Sequence, residues 1–262
     1  MSWRPRLVAL DIDGTLTPTG SNDISPAVKA AITRVTEHGS KVVLSTGRSL
    51  IGVTPIAAQV PASFALCSNG AVWWDPATNE IPKRTTFEPG ATIEALRALL
   101  PGSVFAVERT GVGNLMLGQF LPGDLWGETI PSTFDEMAAT PTPRLVMRWL
   151  DHTPAELSFA VKDLVLPGIE WTVDHTEPWL TAVPPDVTKG SALDELSQEL
   201  GISPRDALAI GDGSNDVEML RWAGLGVAMG QAPASVQAAA DEVAPTVLED
   251  GAAQVLDRFF PG

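Results

Sequence analysis

Short apolar runs alternate with longer amphipathic stretches in the first third of the chain. Residues 6–12, 41–46 and 63–68 are rich in Val, Leu and Ala, and their length and character predict buried strands. Residues 25–39 begin with Ser-Pro and end with Gly, which is the pattern of a capped helix, and residues 48–60 also suit a helix. Strands that alternate with helices predict a parallel sheet with helices on its faces.

The last third repeats this alternation, whereas the middle of the chain does not. Helices and strands alternate again between residues 189 and 260. The middle segment mixes strand-like pieces with frequent turn residues and two predicted helices, at residues 91–100 and 154–166. We therefore predict an α/β domain that is interrupted by an inserted α+β domain, with boundaries at 1–80, 81–183 and 184–262.

The composition predicts a folded protein in a reducing compartment. The 262 residues are 44% hydrophobic and carry a net charge of −15, which disfavours nucleic acid and acidic membrane surfaces as partners. No stretch reaches the roughly 18 uncharged apolar residues of a membrane span. Cys67 is the only cysteine, so no intramolecular disulfide can form, and a buried structural thiol is expected. These features together predict a cytoplasmic protein with no membrane partner.

Acidic and hydroxyl side chains follow three of the predicted strands. Asp11 and Asp13 end the first strand, Thr46 ends the second, and Asp212 ends the strand at residues 206–212. Residues two positions apart in a strand point the same way, so Asp11 and Asp13 must share a cation or hold a proton. A turn is the alternative for these acids, because Asp-Gly pairs favour turns.

Parallel strands present their carboxyl ends at one edge of a sheet, where ligands bind. Lys189 begins a predicted helix, where a cation is unfavourable unless an anion lies nearby, with a solvated surface lysine as the alternative. We expect three carboxylates, the Thr46 hydroxyl and Lys189 to converge at this edge. Such carboxylates suit Mg²⁺, and the hydroxyl and the lysine suit a phosphate.

Five segments occur in an order that is typical of one known family: DIDGTLT, STGR, SNGA, TKGSAL and GDGSNDVEML. They resemble the haloacid dehalogenase superfamily and, more narrowly, the Cof-type sugar phosphatases with a type 2 cap. The 120 positions from Asn69 to Lys189 leave room for this cap. Asp186 stands where the family more often has glycine, and Gln231 stands where asparagine is usual. The resemblance implies a Rossmann-like parallel sheet core with an inserted α+β cap.

The resemblance also implies a phosphatase that acts through an aspartyl-phosphate. Asp11 matches the nucleophile, and Asp13 matches the general acid and base. The implied cofactor is Mg²⁺, and the implied ligands and supporting groups are Asp11, Asp13 through its backbone carbonyl, Asp212 and Asp216. The implied phosphate-binding residues are Ile12, Thr46, Gly47, Lys189 and Asn215. Arg48 is a candidate substrate contact, with a surface or cap-facing ion pair as the alternative.

The implied partner is a small phosphorylated metabolite, with a sugar phosphate as the leading class. Phosphoglycolate and a phosphorylated disaccharide are alternatives, and a phosphomutase shares the covalent step. A catalytically idle phosphometabolite-binding protein belongs to a different class, but the complete acid set argues against it. The cap is expected to close over the site and select the leaving group. Glu108, Arg109 and Trp179 are candidate cap contacts, for each of which a structural role is favoured.

Overall fold

The computed structural model describes residues 3–262, which form two β-sheets with helices packed against them. The strands are β1 (Leu7–Leu10), β2 (Lys41–Ser45), β3 (Phe64–Cys67), β4 (Val72–Asp75), β5 (Glu80–Arg84), β6 (Ser103–Arg109), β7 (Gly113–Leu117), β8 (Glu128–Pro131), β9 (Leu145–Trp149), β10 (Glu170–Val173), β11 (Trp179–Val183), β12 (Ala207–Gly211), β13 (Leu225–Ala228) and β14 (Glu242–Val243). The α-helices are α1 (Pro26–Glu37), α2 (Leu50–Ala57), α3 (Gly90–Leu99), α4 (Phe134–Ala138), α5 (Pro154–Ala160), α6 (Lys189–Glu199), α7 (Val217–Trp222), α8 (Ala234–Gln237) and α9 (Gly251–Asp257). Within residues 3–262, none of these helices combines the length and the apolar character that a bilayer crossing requires.

The first sheet has eight strands in the order β14-β13-β12-β1-β2-β3-β4-β5. All neighbours from β14 to β3 run parallel, and β4 and β5 add an antiparallel edge. In this register Leu10 pairs with Ile210 on one side and with Leu44 on the other. The carboxyl ends of β12, β1 and β2 therefore lie side by side, which confirms the predicted parallel sheet.

Strand β1 is apolar at every position because both of its faces are covered. Val8 and Leu10 belong to a hydrophobic cluster with α1, α2 and α9, whereas Leu7 and Ala9 belong to a cluster with α6, α7 and α8. All four side chains have no solvent exposure. A central strand of a doubly covered sheet requires a continuous apolar run of this kind.

The second sheet has six strands in the order β10-β11-β9-β6-β7-β8, and all neighbours except β7 and β8 run antiparallel. Helices α3, α4 and α5 pack against one face around Phe105, which is fully buried. The expected α/β fold with a mostly parallel sheet and an additional sheet is thus confirmed. We propose that the second sheet and its helices form the inserted cap.

Strand β5 lies at the predicted first boundary, between residues 80 and 81. That boundary assigns almost all of β5 to the insertion, but β5 pairs with β4 in the first sheet, with Lys83 opposite Trp73. The sequence EIPKR is charged and mostly exposed, so it carries no apolar signal that would link it to the core. We propose that the insertion begins after Arg84.

Two helices are shorter than predicted. The predicted helix at residues 154–166 ends at Ala160; a turn follows at residues 161–163, and residues 164–166 have no regular structure. The predicted helix at residues 48–60 begins at Leu50, because Ser49 accepts a hydrogen bond from the Gly52 N–H and so caps it. In both segments the apolar pattern continues beyond the hydrogen-bonded helix.

The core of the second sheet provides a stability prediction. We expect Phe105→Ala to lower the free energy of unfolding by about 3–5 kcal/mol, because truncation removes buried apolar area and leaves a cavity. Phe159→Ala is the control, since this side chain is 71% exposed, and we expect a change of about 0.5 kcal/mol or less. Urea denaturation followed by circular dichroism measures both. Equal losses in the two variants would contradict the packing described for Phe105.

Candidate active site

The carboxyl edge of the parallel sheet brings together aspartates that are far apart in the sequence. Asp11 follows β1, Asp212 follows β12, and Asp216 directly precedes α7. Gly14, in the turn after Asp13, has a φ of +78°, and an added Cβ would lie 2.1 Å from Asp212 Oδ2. A side chain at position 14 would therefore displace one of the clustered carboxylates.

Three of the four predicted acidic ligands form one buried cluster. Asp11, Asp212 and Asp216 each offer a carboxylate oxygen, and these oxygens lie within 4.8 Å of one another. Their exposures are 5%, 3% and 0%. The side chain of Asp13 lies outside this cluster, so only its backbone carbonyl remains as the predicted ligand.

Lys189 provides the positive charge that faces this cluster. Its Nζ donates hydrogen bonds to Asp11 Oδ1 at 2.6 Å and to Asp216 Oδ1 at 2.5 Å. The second oxygen of Asp216 accepts from the backbone N–H groups of Asp212 and Gly213. Lys189 is only 1% exposed, so the alternative of a solvated surface lysine is wrong.

The charges of the cluster shift the titration of its members. Burial raises the pKa of Asp11 well above its usual value, and the nearby Asp216 carboxylate raises it further, whereas Lys189 opposes the shift. Burial and the Asp216 carboxylate raise the pKa of Asp212 to about 6. Burial alone would lower the pKa of Lys189, but the carboxylates of Asp11 and Asp216 raise it above its usual value. The cluster therefore favours either a bound proton or an additional cation.

The donor set fits a divalent metal ion. Three buried carboxylates face a single ammonium group, so the cluster keeps an excess of negative charge when it is ionised. Hard cations such as Mg²⁺ and Ca²⁺ prefer oxygen ligands of this type. Both oxygens of Asp216 already accept hydrogen bonds within the protein, which leaves Asp11 and Asp212 as the more available ligands.

The loop after β2 presents donors to the same edge. The Thr46 carbonyl accepts from the Asn69 N–H at 2.9 Å, and all described peptide bonds are trans. In a trans peptide the C=O and N–H bonds point in opposite directions. The Gly47 N–H, which belongs to the same peptide as the Thr46 carbonyl, therefore points away from Asn69. Thr46 Oγ1 accepts from the Arg48 N–H at 3.1 Å, so the hydroxyl proton remains available to a ligand. The loop is thus suited to bind phosphate oxygens.

Arg48 contacts Asp13 through both oxygens of the carboxylate. Its Nε donates to Oδ2 at 2.7 Å, and its Nη2 donates to Oδ1 at 2.6 Å. The guanidinium also donates to Asn22 Oδ1 and to the carbonyls of Ser21 and Gly52. Arg48 therefore fixes the predicted general acid. The STGR segment identified Arg48 as a candidate substrate contact, but its partner is not encoded in that segment.

Further side chains of the site were not assigned a role from the sequence. Asn69, in the left-handed conformation at φ 56°, accepts a hydrogen bond from Asn215 Nδ2 at 3.0 Å. In the sequence, Asn69 is marked by the SNGA segment. Gln231 donates to the Gly14 carbonyl at 2.5 Å and to Asp212 Oδ2 at 3.3 Å. In the sequence, Gln231 is marked only by its departure from the family pattern.

A cleft of about 290 Å³ lies between the two sheets above these residues. Its core side includes Asp11, Asp13, Thr46, Gly47, Arg48, Asp212 and Asn215. The second-sheet side includes Trp126, Arg144, Thr172, His175, Trp179 and Thr181. Of the three candidate cap contacts, Trp179 lines the cleft, whereas Glu108 is buried beside it and binds Ser68. Arg109 is not among the described lining residues.

A parallel sheet with a buried acidic cluster and a facing lysine at its carboxyl edge is typical of α/β enzymes that bind their ligands at this edge. The chain belongs to the haloacid dehalogenase-like hydrolases, whose family pattern matches residues 8–103 and 157–256. The motif-based identification of a Cof-type phosphatase, a phosphoric monoester hydrolase, is thereby confirmed. The unmatched residues 104–156 contain most of β6, all of β7, β8 and β9, helix α4 and the connecting loops.

Curated relatives resemble the chain over nearly its whole length. The 5-amino-6-(5-phospho-D-ribitylamino)uracil phosphatase of Bacillus subtilis is 27% identical, over 97% of this chain and 95% of the relative. The pyridoxal phosphate phosphatase of Escherichia coli is 27% identical, over 96% and 97%. A crystal structure of a haloacid dehalogenase-like hydrolase from Bacteroides thetaiotaomicron superimposes with a TM-score of 0.79 at 26% identity, over 98% of this chain and 100% of the other.

The raised pKa of Asp212 predicts the pH dependence of stability without metal. Its pKa is about 6 in the folded protein against an ordinary 3.8, so between these values the folded state binds more protons than the unfolded state. Stability should therefore fall as pH rises from about 4 through about 6, by about 1–3 kcal/mol from this group. Urea denaturation in EDTA at several pH values measures the effect.

Asp212→Asn should remove this part of the pH dependence, because the amide does not titrate. Asp163→Asn is the matched control, since its side chain is 88% exposed, and it should keep the wild-type profile. The same pH dependence in the wild type and in Asp212→Asn would contradict the assignment to Asp212.

Proposed function

We propose that the chain is a Mg²⁺-dependent phosphatase that hydrolyses a small phosphorylated metabolite, with sugar phosphates as the leading substrate class. The observation that carries this proposal is the buried Asp11 carboxylate at the base of the cleft, beside Lys189 and the Thr46–Gly47 loop. A carboxylate in that place can attack a phosphorus atom whose oxygens are bound by the loop.

The proposed covalent step uses Asp11 as the nucleophile. One oxygen of its carboxylate forms a bond to phosphorus, and the bond between phosphorus and the leaving oxygen breaks. Asp13 gives its proton to that oxygen, so the product leaves as an alcohol. Asp13 then accepts a proton from water, whose oxygen attacks phosphorus and releases inorganic phosphate and the free Asp11 carboxylate.

The contacts of Arg48 set a condition for the role of Asp13. Arg48 donates to both carboxylate oxygens of Asp13. We infer that the substrate draws one oxygen of Asp13 away from Arg48, because that oxygen must approach the leaving group. The second bond to Arg48 then keeps the carboxyl group in place during both proton transfers.

The phosphoryl oxygens have a consistent set of proposed partners. Thr46, Gly47 and Asn215 line the cleft, and Lys189 binds Asp11. Asn215 lies beside the loop, since a Cβ added at Gly47 would be 3.6 Å from its Nδ2. The backbone N–H of Ile12 completes the predicted set. Because a transferring phosphoryl group spreads negative charge over its oxygens, such donors supply much of the catalysis.

The proposed metal site consists of Asp11, Asp212 and the backbone carbonyl of Asp13. Asp216 supports it through its hydrogen bonds to the Asp212 and Gly213 N–H groups. A bound Mg²⁺ would neutralise negative charge on the carboxylates and the phosphoryl oxygens. This role is supported by the raised pKa of Asp11 and Asp212, because a cation would offset the burial and the repulsion by Asp216 that raise it.

The side chains that line the cleft are suited to a small polar leaving group. Thr172 and Thr181 form a cross-strand pair on β10 and β11 and line the cleft, together with the ring of His175. Hydroxyl and imidazole groups suit a polyhydroxylated molecule, and the indoles of Trp126 and Trp179 offer flat apolar walls. The named relatives act on phosphorylated ribityl and pyridoxal compounds. Phosphoglycolate and phosphorylated disaccharides remain alternatives.

The first test combines a substrate panel with the proposed nucleophile. With Mg²⁺ we expect release of inorganic phosphate from sugar phosphates and from an aryl phosphate, and loss of this activity in EDTA. Asp11→Asn should lower kcat at least about a thousandfold, because the isosteric amide cannot form the covalent intermediate. Acid quenching should trap a phosphorylated wild-type protein but no phosphorylated Asp11→Asn. A labelled Asp11→Asn protein would contradict the role of Asp11.

The second test examines Asp13 as the general acid. We expect Asp13→Asn to reduce turnover of an alkyl phosphate by about a hundredfold or more relative to an aryl phosphate, because an alkoxide needs the proton far more than a phenolate does. The ratio of kcat values on the two substrates is the measurement. Equal losses on both substrates would argue against proton donation by Asp13.

A further inference from the structure

A buried ion pair of the second sheet contacts the loop that we assign to phosphate binding. Arg144, just before β9, lies with its Nε 3.2 Å from Glu108 Oε2 on β6. Both residues are nearly inaccessible, at 9% and 2% exposure. The Nη1 of Arg144 donates to the carbonyl of Gly47 at 2.9 Å. A guanidinium from one sheet thus binds a backbone carbonyl of the other.

The hydrogen bond from Arg144 to the Gly47 carbonyl is connected to the Thr46 side chain through a single rigid peptide. The Gly47 carbonyl and the Arg48 N–H belong to the same trans peptide and point in opposite directions. The carbonyl accepts from Arg144, and the N–H donates to Thr46 Oγ1 at 3.1 Å. The orientation of this plane therefore determines which lone pair of the Thr46 hydroxyl is occupied, and so where its proton can point.

The other carbonyls of the loop are bound from within the core. Thr46 accepts from the Asn69 N–H at 2.9 Å, and the Arg48 carbonyl accepts from the Ser68 N–H at 2.8 Å. Only the central carbonyl, that of Gly47, takes its described partner from the second sheet. The orientation of the central peptide therefore depends on a residue that is outside the parallel-sheet core.

Glu108 keeps Arg144 in this position. A buried guanidinium without a counter-charge is strongly unfavourable, so the nearby carboxylate favours the observed placement. Glu108 Oε2 also accepts a hydrogen bond from Ser68 Oγ at 2.6 Å. The ion pair thus contacts the core at two adjacent points, one of which is the Gly47 carbonyl.

We propose that Arg144, held by Glu108, is a positioning residue through which the second sheet orients the Thr46 hydroxyl for phosphate binding. The proposal rests on the assignment of Thr46 to the phosphate site. Its consequence is that affinity for the phosphate group itself, and not only for the leaving group, depends on contact between the two sheets.

The test measures binding of inorganic phosphate by isothermal titration calorimetry in the presence of Mg²⁺. Arg144→Met should weaken binding by about tenfold or more, the size expected when a hydrogen bond from a charged donor is lost. It should also lower kcat/KM on an aryl phosphate and on a sugar phosphate by the same factor. A change in the ranking of the two substrates without weaker phosphate binding would overturn the proposal.

Arg148→Met is the matched control, because Arg148 lies on the same sheet but pairs with Asp124 and Glu177. We expect its phosphate affinity to stay within about twofold of the wild type. Ser68→Ala removes the hydrogen bond that Ser68 donates to Glu108 but keeps the Gly47 bond, and its phosphate affinity should also stay within that range. If Ser68→Ala weakened phosphate binding as much as Arg144→Met, the proposal would be overturned, because any contact between the two sheets would then have the same effect.

Thermal denaturation checks that each variant is folded. If Arg144→Met is unfolded, phosphate binding by Glu108→Gln tests the proposal instead. This substitution keeps the shape of the side chain and removes the charge that holds Arg144. We expect about threefold weaker phosphate binding or more, and unchanged affinity would overturn the proposal. Phosphate binding does not require turnover, so an inactive wild type that binds phosphate would refute the proposed function while leaving this inference open to its own test.

Discussion

The candidate active site depends on the two ion pairs of the buried Lys189 ammonium group. This group joins the start of α6 to Asp11, after β1, and to Asp216, before α7. A cation at a helix N-terminus and inside the protein is unfavourable by itself, and the two carboxylates offset both costs. Removal of Lys189 would leave the buried carboxylates without their counter-charge, so this ammonium group links the packing of three segments.

The same cluster explains how a protein with a charge of −15 can accept an anionic substrate. The overall field is unfavourable for a phosphate ester, but the local field is set by Lys189, the loop donors and the proposed cation. The buried acids favour additional positive charge, and in our proposal a metal ion would supply it beside the phosphate group. Repulsion among the carboxylates is therefore useful, because it creates a site for the cation.

Side chains of the second sheet and its loops contact the loop that follows β2. Trp126 packs against Gly52 and lies over the guanidinium of Arg48, which in turn binds Asp13. Arg144 binds the carbonyl of Gly47. Contacts from the inserted sheet thus converge on two consecutive residues of the loop after β2. In our proposal, this arrangement allows the part of the protein that selects the leaving group to influence the groups that hold and protonate the substrate.

The sequence by itself determined the parallel core and the convergence of Asp11, Thr46, Lys189 and Asp212, because apolar strands that alternate with helices bring their carboxyl ends to one edge. The tertiary structure decided the partner of Arg48, the bond from Arg144 to the Gly47 carbonyl, and the inclusion of β5 in the core sheet. These contacts join segments without a shared periodicity, and a charged side chain can find an opposite charge on any segment that packs nearby. Local patterns specify which elements form and which ends meet, whereas the pairing of polar groups between domains depends on how the finished surfaces fit.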